Sequence, residues 1–169
     1  VIDGGDGDEA VRITHRFFFN TRQTVEVFAF GAGAIGSALL DQIAAQKPKL
    51  LSQNIDVKVL AIATARRGMI FNPDGLDLND WRTALGKSEL KASVDDVIAF
   101  VKEHKPLNPV FVDCTASFDL PERYLDILSA GMSIVTPNKR ANSMKMEFYR
   151  ALRSTANKTR RRFLYEANV

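Results

Sequence analysis

Residues 24–46, TVEVFAFGAGAIGSALLDQIAAQ, decide the fold of this chain. Residues 24–30 are rich in β-branched and aromatic side chains, which predicts a strand. Over residues 34–46 the apolar Ile35, Leu39, Leu40 and Ile43 then recur at helical spacing, which predicts a helix. A strand, a glycine-rich turn and a helix in this order form the first half of a βαβ unit.

The turn between this strand and this helix has the spacing G-x-G-x-x-G, formed by Gly31, Gly33 and Gly36. In a dinucleotide-binding turn, the first glycine permits the tight bend, the second lets the backbone approach a pyrophosphate, and the third lets the helix pack closely. The helix N-terminus adds N–H donors and positive potential for the anion. A turn kept for packing alone is the competing interpretation, but the agreement of strand, spacing and helix favours a dinucleotide.

The rest of the chain continues the alternation of strands and helices. Strands are predicted at residues 56–63, 109–114, 133–136 and 162–166, and helices at residues 34–46, 79–85, 93–105, from 120 and over 143–158. Ser93 is predicted to cap its helix by accepting a hydrogen bond from the N–H of Asp96. Residues 66–91 are otherwise irregular. The alternation predicts an α/β fold with a doubly wound, mostly parallel sheet of the Rossmann type, which binds ligands beyond the carboxyl ends of its strands.

Composition and charge exclude several classes of function. The chain has 169 residues, the length of one domain, and its 23 Lys plus Arg against 20 Asp plus Glu give a net charge of +3. The charge-free residues 27–40 are too few to span a bilayer. The basic residues 158–162 are better interpreted as a solvated helix end than as a nucleic-acid surface. The single cysteine, Cys114, cannot form an internal disulfide, and a cytoplasmic location is expected.

The residues after the second predicted strand bear on the choice of cofactor. Counting about 20 residues from the third glycine reaches Asp56, but this residue begins the strand and lies at the wrong end of the sheet. The strand runs instead into Arg66 and Arg67, whose guanidinium groups can meet a 2′-phosphate. NADP is therefore predicted over NAD. Either arginine, taken singly, can also be interpreted as a solvent-exposed side chain.

The ends of the next two predicted strands make the pattern specific. Residues 113–115 read DCT and residues 136–139 read TPNK. Together with the glycine turn, these motifs resemble homoserine dehydrogenase. Residues 9–15 and 163–169 extend the similarity, which is closest to the dehydrogenase part of the bifunctional aspartokinase/homoserine dehydrogenases and covers nearly the whole chain.

The resemblance implies an enzyme that interconverts L-homoserine and L-aspartate 4-semialdehyde by hydride transfer with NADP or, in some members, NAD. It also implies that Ala32, Ala34 and Ile35 contact the dinucleotide and that Thr115 lies beside it. The sequence departs from the family at Ala116, where relatives often carry serine.

Lys139, the lysine of the TPNK motif, is the predicted catalytic residue, and the resemblance places it near the nicotinamide and the substrate. An ammonium there can polarise a carbonyl oxygen or stabilise an alkoxide. Without the motif, a solvated loop lysine would be the preferred interpretation. The resemblance also implies that the Glu166 side chain and the Val169 carbonyl help to hold a structural monovalent cation such as sodium.

The resemblance predicts an extension from a preceding region at residues 1–22 and an NAD(P)-binding domain at residues 23–169. In the family, the substrate domain follows, with the catalytic Asp and Lys and the dimer interface. We therefore expect the isolated chain to bind cofactor without turnover, and the parent enzyme to be a homo-oligomer. A non-catalytic NAD(P)-sensing domain is the alternative. A short-chain dehydrogenase is disfavoured because Tyr149 is followed four residues later by Arg153 instead of lysine.

Overall fold

The computed structural model describes residues 22–165, except for the side chains of residues 141 and 142. Its strands are β1 (Gln23–Phe30), β2 (Ile55–Thr64), β3 (Gly68–Phe71), β4 (Pro109–Asp113), β5 (Ser133–Thr136) and β6 (Phe163–Tyr165). They form one six-stranded sheet in the order β3-β2-β1-β4-β5-β6. All neighbouring strands are parallel except β2 and β3, which are antiparallel. The order reverses between β1 and β4, where open α/β sheets bind their ligands.

Helices cover both faces of this sheet. They are α1 (Ala34–Ser52), α2 (Trp81–Gly86), α3 (Val94–His104), α4 (Tyr124–Ser129), α5 (Arg140–Ser143) and α6 (Met146–Thr159). Helices α1 and α2 share one apolar core with the sheet, while α3, α4 and α6 share a second core on the opposite face. The predicted α/β fold with a doubly wound, mostly parallel sheet is confirmed.

Strand β1 supplies both cores because successive side chains of a strand point to opposite faces. Val27 and Ala29 pack with α1 and α2, whereas Phe28 and Phe30 pack with the helices of the other face. Phe28 is fully buried, as expected for a central strand of a parallel sheet. The carboxyl end of this strand is thereby fixed in the middle of the sheet, and the glycine turn follows it directly.

Several predicted boundaries are confirmed and others are wrong. Ser93 caps α3, accepting the Asp96 N–H at 3.1 Å as predicted. Strand β3 was missed because it is a short edge strand within residues 66–91 and carries no clear alternation of apolar and polar residues. Helix α1 continues past Pro48, beyond its predicted end at residue 46. The helix predicted over residues 143–158 begins three residues later, at Met146, because Met144 and Lys145 have non-helical backbone conformations, and Ser143 instead ends the short helix α5.

No helix within residues 22–165 is both long enough and apolar enough to cross a lipid bilayer.

Candidate cofactor site

The glycine turn between β1 and α1 is held against β4 by contacts that leave no room for a side chain. Gly31 has a φ of +95°, and a Cβ there would lie 2.6 Å from the carbonyl carbon of Cys114. A Cβ on Gly36 would lie 1.8 Å from the Gly31 carbonyl oxygen. The Gly31 N–H donates to the Ala63 carbonyl at 2.8 Å, and the Cys114 N–H donates to the Phe30 carbonyl at 2.7 Å. The start of α1 is therefore fixed to three adjacent strands.

The middle glycine of the motif faces open space instead. A Cβ on Gly33 would have no heavy atom within 4 Å, and its backbone has an ordinary negative φ of −74°. Gly33 precedes α1, and no side chain caps the helix there. Gly33, Ala34 and Ile35 are all exposed. The first-turn N–H groups and the positive end of the helix dipole thus face open space, and such an uncapped helix N-terminus can bind an anion.

A cavity of about 640 Å³ lies on the β2 side of the turn. It contains Arg66 and Arg67, both exposed, next to the turn residues Gly31, Ala32 and Gly33. The Arg67 N–H donates to the Thr64 hydroxyl at 3.0 Å, which fixes the bend where β2 ends. The structure therefore places both predicted arginines beside the glycine turn.

Sequence reasoning missed a third arginine in this cavity. Arg82 lines it together with Trp81, both from α2. The Arg82 guanidinium lies 2.7 Å from the Asp41 carboxylate and 4.4 Å from the centre of the Trp81 ring. A hydrogen bond from Arg82 is the main cause that lowers the pKa of Asp41. No local signal marks Arg82, because only the packing of α2 beside α1 brings it to the site.

A second cavity, of about 620 Å³, lies on the β5 side of the turn. Apolar atoms dominate its lining, which includes Ala34, Ile35, Pro137 and Leu164. Cys114 lines both cavities, so the end of β4 separates them. Burial, and then the charge of Asp113, raise the pKa of the Cys114 thiol to about 11, which keeps it protonated at neutral pH.

The remaining predicted site residues follow β4 and β5. Thr115 is half-buried and lines the cavity on the β2 side. Lys139 is exposed and lies at the N-terminus of α5, directly after the buried Asn138. The side chains of Asp113 and Asn138, which were not predicted, join the two loops, because the Asn138 amide donates to the Asp113 carboxylate at 3.2 Å. Thr115 and Lys139 thus lie on loops that are bonded to each other.

The predicted cation site cannot be placed in this structure. Glu166 and Val169 lie outside the described residues, 22–165. Within that part of the chain, no group of three or more His, Cys, Asp or Glu side chains is arranged to hold a metal ion.

The sheet order, with a glycine turn and an open helix N-terminus at its switch point, defines a dinucleotide-binding α/β domain. Residues 31–166 match the family described as "Homoserine dehydrogenase, NAD binding domain". The chain belongs to this family.

Comparison with individual proteins supports the assignment. The bifunctional aspartokinase/homoserine dehydrogenase of Haemophilus influenzae is 38% identical over 169 residues, covering 100% of this chain and 21% of that protein. The homoserine dehydrogenase of Saccharomyces cerevisiae is 37% identical over 152 residues, covering 87% of this chain and 40% of that protein. A hyperthermophilic archaeal homoserine dehydrogenase in complex with NADPH superposes with a TM-score of 0.66 at 26% identity, covering 86% of this chain and 44% of that one. This chain therefore spans less than half the length of each of these relatives.

Proposed function

We propose that this chain is the NADP-binding part of a homoserine dehydrogenase, whose parent enzyme interconverts L-homoserine and L-aspartate 4-semialdehyde. The observation that carries the proposal is the pair of cavities, about 640 and 620 Å³, on either side of an open helix N-terminus. A dinucleotide has two halves joined by a pyrophosphate. The two cavities correspond to the two halves, and the helix N-terminus between them corresponds to the pyrophosphate. The family match and the archaeal relative in complex with NADPH support the same cofactor class.

In this arrangement the first-turn N–H groups of Ala34 and Ile35 would donate hydrogen bonds to the pyrophosphate, and Gly33 would let it approach the backbone. The cavity that contains Arg66 and Arg67 would hold the adenosine half. Thr115 and the apolar cavity that contains Pro137 would hold the nicotinamide half. An apolar wall there excludes water from the ring, as a hydride transfer requires.

The 2′-phosphate of NADP is the feature that Arg66 and Arg67 recognise. Both guanidinium groups lie at the carboxyl end of β2, where dinucleotide-binding folds contact the adenosine ribose. Planar guanidinium groups form paired hydrogen bonds with phosphate oxygens. We infer that the chain prefers NADP to NAD.

We assign Lys139 to the oxygen of the substrate alcohol or aldehyde that reacts. The bound cofactor supplies the hydride acceptor or donor, and the chain must stabilise charge on the oxygen of the alcohol or aldehyde. Lys139 is exposed at the end of β5, on the edge of the sheet where the nicotinamide half lies. Its ammonium can donate a hydrogen bond to that oxygen as negative charge develops.

The rest of the parent enzyme supplies what this chain does not. We propose that residues outside this chain bind homoserine and form the subunit contacts of a homo-oligomer, since the chain covers only 21% of the Haemophilus relative. A structural monovalent cation at Glu166 and Val169 and a cytoplasmic location remain predictions.

The cofactor preference is tested by titrating the chain with NADPH and NADH. The single tryptophan, Trp81, lines the arginine-containing cavity, so energy transfer from it to the reduced nicotinamide reports binding. We expect Arg66→Ala and Arg67→Ala each to weaken NADPH binding about tenfold and to leave NADH binding unchanged. Arg150→Ala removes the same charge from an exposed position on α6 and serves as the control. Equal affinities for NADPH and NADH in all four proteins would refute the assigned role of the arginines.

A non-catalytic NAD(P)-sensing domain is distinguished by Lys139→Ala in a full-length parent enzyme. Loss of turnover with retained cofactor binding supports the dehydrogenase. Unchanged turnover with altered regulation would instead support the sensor.

A further inference from the structure

The strongest unexplained feature is a carboxylate buried under the two loops that follow β4 and β5. Asp113, the last residue of β4, is 0% exposed. Removing a charge from water is costly unless hydrogen bonds replace its solvation. A well-packed apolar side chain at the same place is often as stabilising as a buried charge, so stability alone gives a weak reason for an aspartate here.

Four donors surround this carboxylate. Its Oδ1 accepts from the Thr115 N–H at 2.7 Å and from the Thr115 hydroxyl at 2.6 Å. Its Oδ2 accepts from the Tyr124 hydroxyl at 2.5 Å and from the Asn138 side-chain amide at 3.2 Å. Four bonds use all the acceptor sites of an ionised carboxylate. Asp113 therefore binds both loops as an acceptor, with one oxygen for Thr115 and the other shared by α4 and Asn138.

Further bonds make the two loops a single unit around Asp113. The Thr136 hydroxyl donates to the Asp113 carbonyl at 2.9 Å and accepts the Asn138 N–H at 2.9 Å. The Asn138 amide also donates to the Ser117 carbonyl at 3.0 Å. A shift of either loop would therefore break bonds in the other.

We propose that Asp113 is a positioning residue for the nicotinamide half of the cofactor. It fixes the distance between Thr115, on the loop after β4, and the loop after β5 that carries Lys139. The inference rests on the proposed function, because it assumes that the nicotinamide half binds between these loops. Asp113 acts through the two loops and need not touch the cofactor itself.

The substitution Asp113→Asn tests this with little change in volume. The new amide nitrogen only donates, so the oxygen that it replaces no longer accepts. If it replaces Oδ2, the Tyr124 hydroxyl can turn and accept, but the Asn138 amide cannot. If it replaces Oδ1, the Thr115 hydroxyl can turn, but the Thr115 N–H cannot. In either orientation one of the two loops loses a backbone or side-chain N–H bond to position 113, and that N–H then faces another donor.

Two ligands separate positioning from general stability. NADPH contains the nicotinamide half, whereas 2′-phospho-ADP-ribose lacks the nicotinamide ring but keeps the rest. We expect Asp113→Asn to weaken NADPH binding about tenfold and to change the affinity for 2′-phospho-ADP-ribose less than about twofold. Ile127→Val, a fully buried change on α4 outside this network, is the control and should leave the ratio of the two affinities unchanged.

Asn138→Ala and Tyr124→Phe keep the test decisive if Asp113→Asn fails to fold. Each removes one donor to Oδ2, and each should lower the NADPH affinity relative to that for 2′-phospho-ADP-ribose. An unchanged ratio in every folded variant would overturn the inference while leaving the proposed function intact. Failure of the wild-type chain to bind either ligand would instead refute the proposed function, and the inference with it.

Discussion

Alanine substitutions at two glycines of the same motif should affect different properties of the domain. Gly36→Ala places a methyl group 1.8 Å from the Gly31 carbonyl oxygen and 2.9 Å from its carbon. Gly33→Ala places the same methyl group in open space, with no atom within 4 Å. We expect the first change to damage the fold and the second to damage cofactor binding alone.

The size of the Gly36→Ala effect follows from what the methyl group meets. Overpacking costs about 1–3 kcal/mol, and the upper end applies because the obstacle is backbone, which cannot change rotamer. The better helix propensity of alanine stabilises the folded state by about 1 kcal/mol and offsets part of this cost. The net loss is about 2 kcal/mol, which lowers the melting temperature of a domain of this size by about 4–8 °C. The melting temperature of Gly33→Ala should stay within about 2 °C of that of wild type, because the φ of Gly33 is compatible with alanine. Alanine is a poorer helix cap than glycine, but it also reduces the conformational entropy of the unfolded chain, and the two effects offset each other.

Two measurements on the same samples check this contrast. Thermal unfolding gives the melting temperatures, and energy transfer from Trp81 gives the NADPH affinity. Gly33→Ala should weaken NADPH binding by at least about tenfold, because its methyl group occupies the space in which the pyrophosphate would approach the backbone. A melting temperature for Gly36→Ala equal to that of wild type would refute the packing argument. Wild-type affinity in Gly33→Ala would refute the placement of the pyrophosphate.

Three further outcomes follow from charged and buried groups. Asp41→Asn should tighten NADPH binding about threefold at low salt and not at high salt, because it releases Arg82 toward the cavity to which we assign the adenosine half and its phosphate. Titration at two ionic strengths tests this. Alkylation of Cys114 at pH 8 should be about a hundredfold slower than that of an ordinary cysteine, because the pKa of Cys114 is raised from 9.0 to about 11. NADPH should slow the alkylation further. An alkylation rate that is independent of NADPH would contradict the position of Cys114 between the two cavities. Arg123 lowers the pKa of Asp95, so their pair stabilises the fold above the unfolded pKa of 3.8, and this stabilisation is lost progressively as the pH falls below 3.8. The urea midpoints of wild type and Arg123→Ala should therefore differ at pH 7, and the difference should shrink as the pH falls below 3.8.

The parts of the structure that the sequence predicts are those whose signals are local. The glycine turn lies within six consecutive residues, and the Ser93 cap joins residues three apart. Strand β3 escaped prediction because its four residues, GMIF, are stabilised by pairing with β2 and not by their own pattern. Arg82 was not predicted as a site residue for a related reason. Its position depends on an ion pair with Asp41, which is 41 residues away in the sequence.

The same limit explains why Asp113 was recognised as part of a motif but not as the centre of a network. Its partners Tyr124 and Asn138 lie 11 and 25 residues further along the chain, and only the parallel pairing of β4 with β5 brings them together. The other side of this strand end constrains the glycine turn, since a side chain on Gly31 would collide with the backbone of Cys114. The end of β4 is thus fixed both to the glycine turn and to the loops that follow β4 and β5. In the binding mode that we propose, a shift at either place would therefore change the distance between the two halves of the cofactor site.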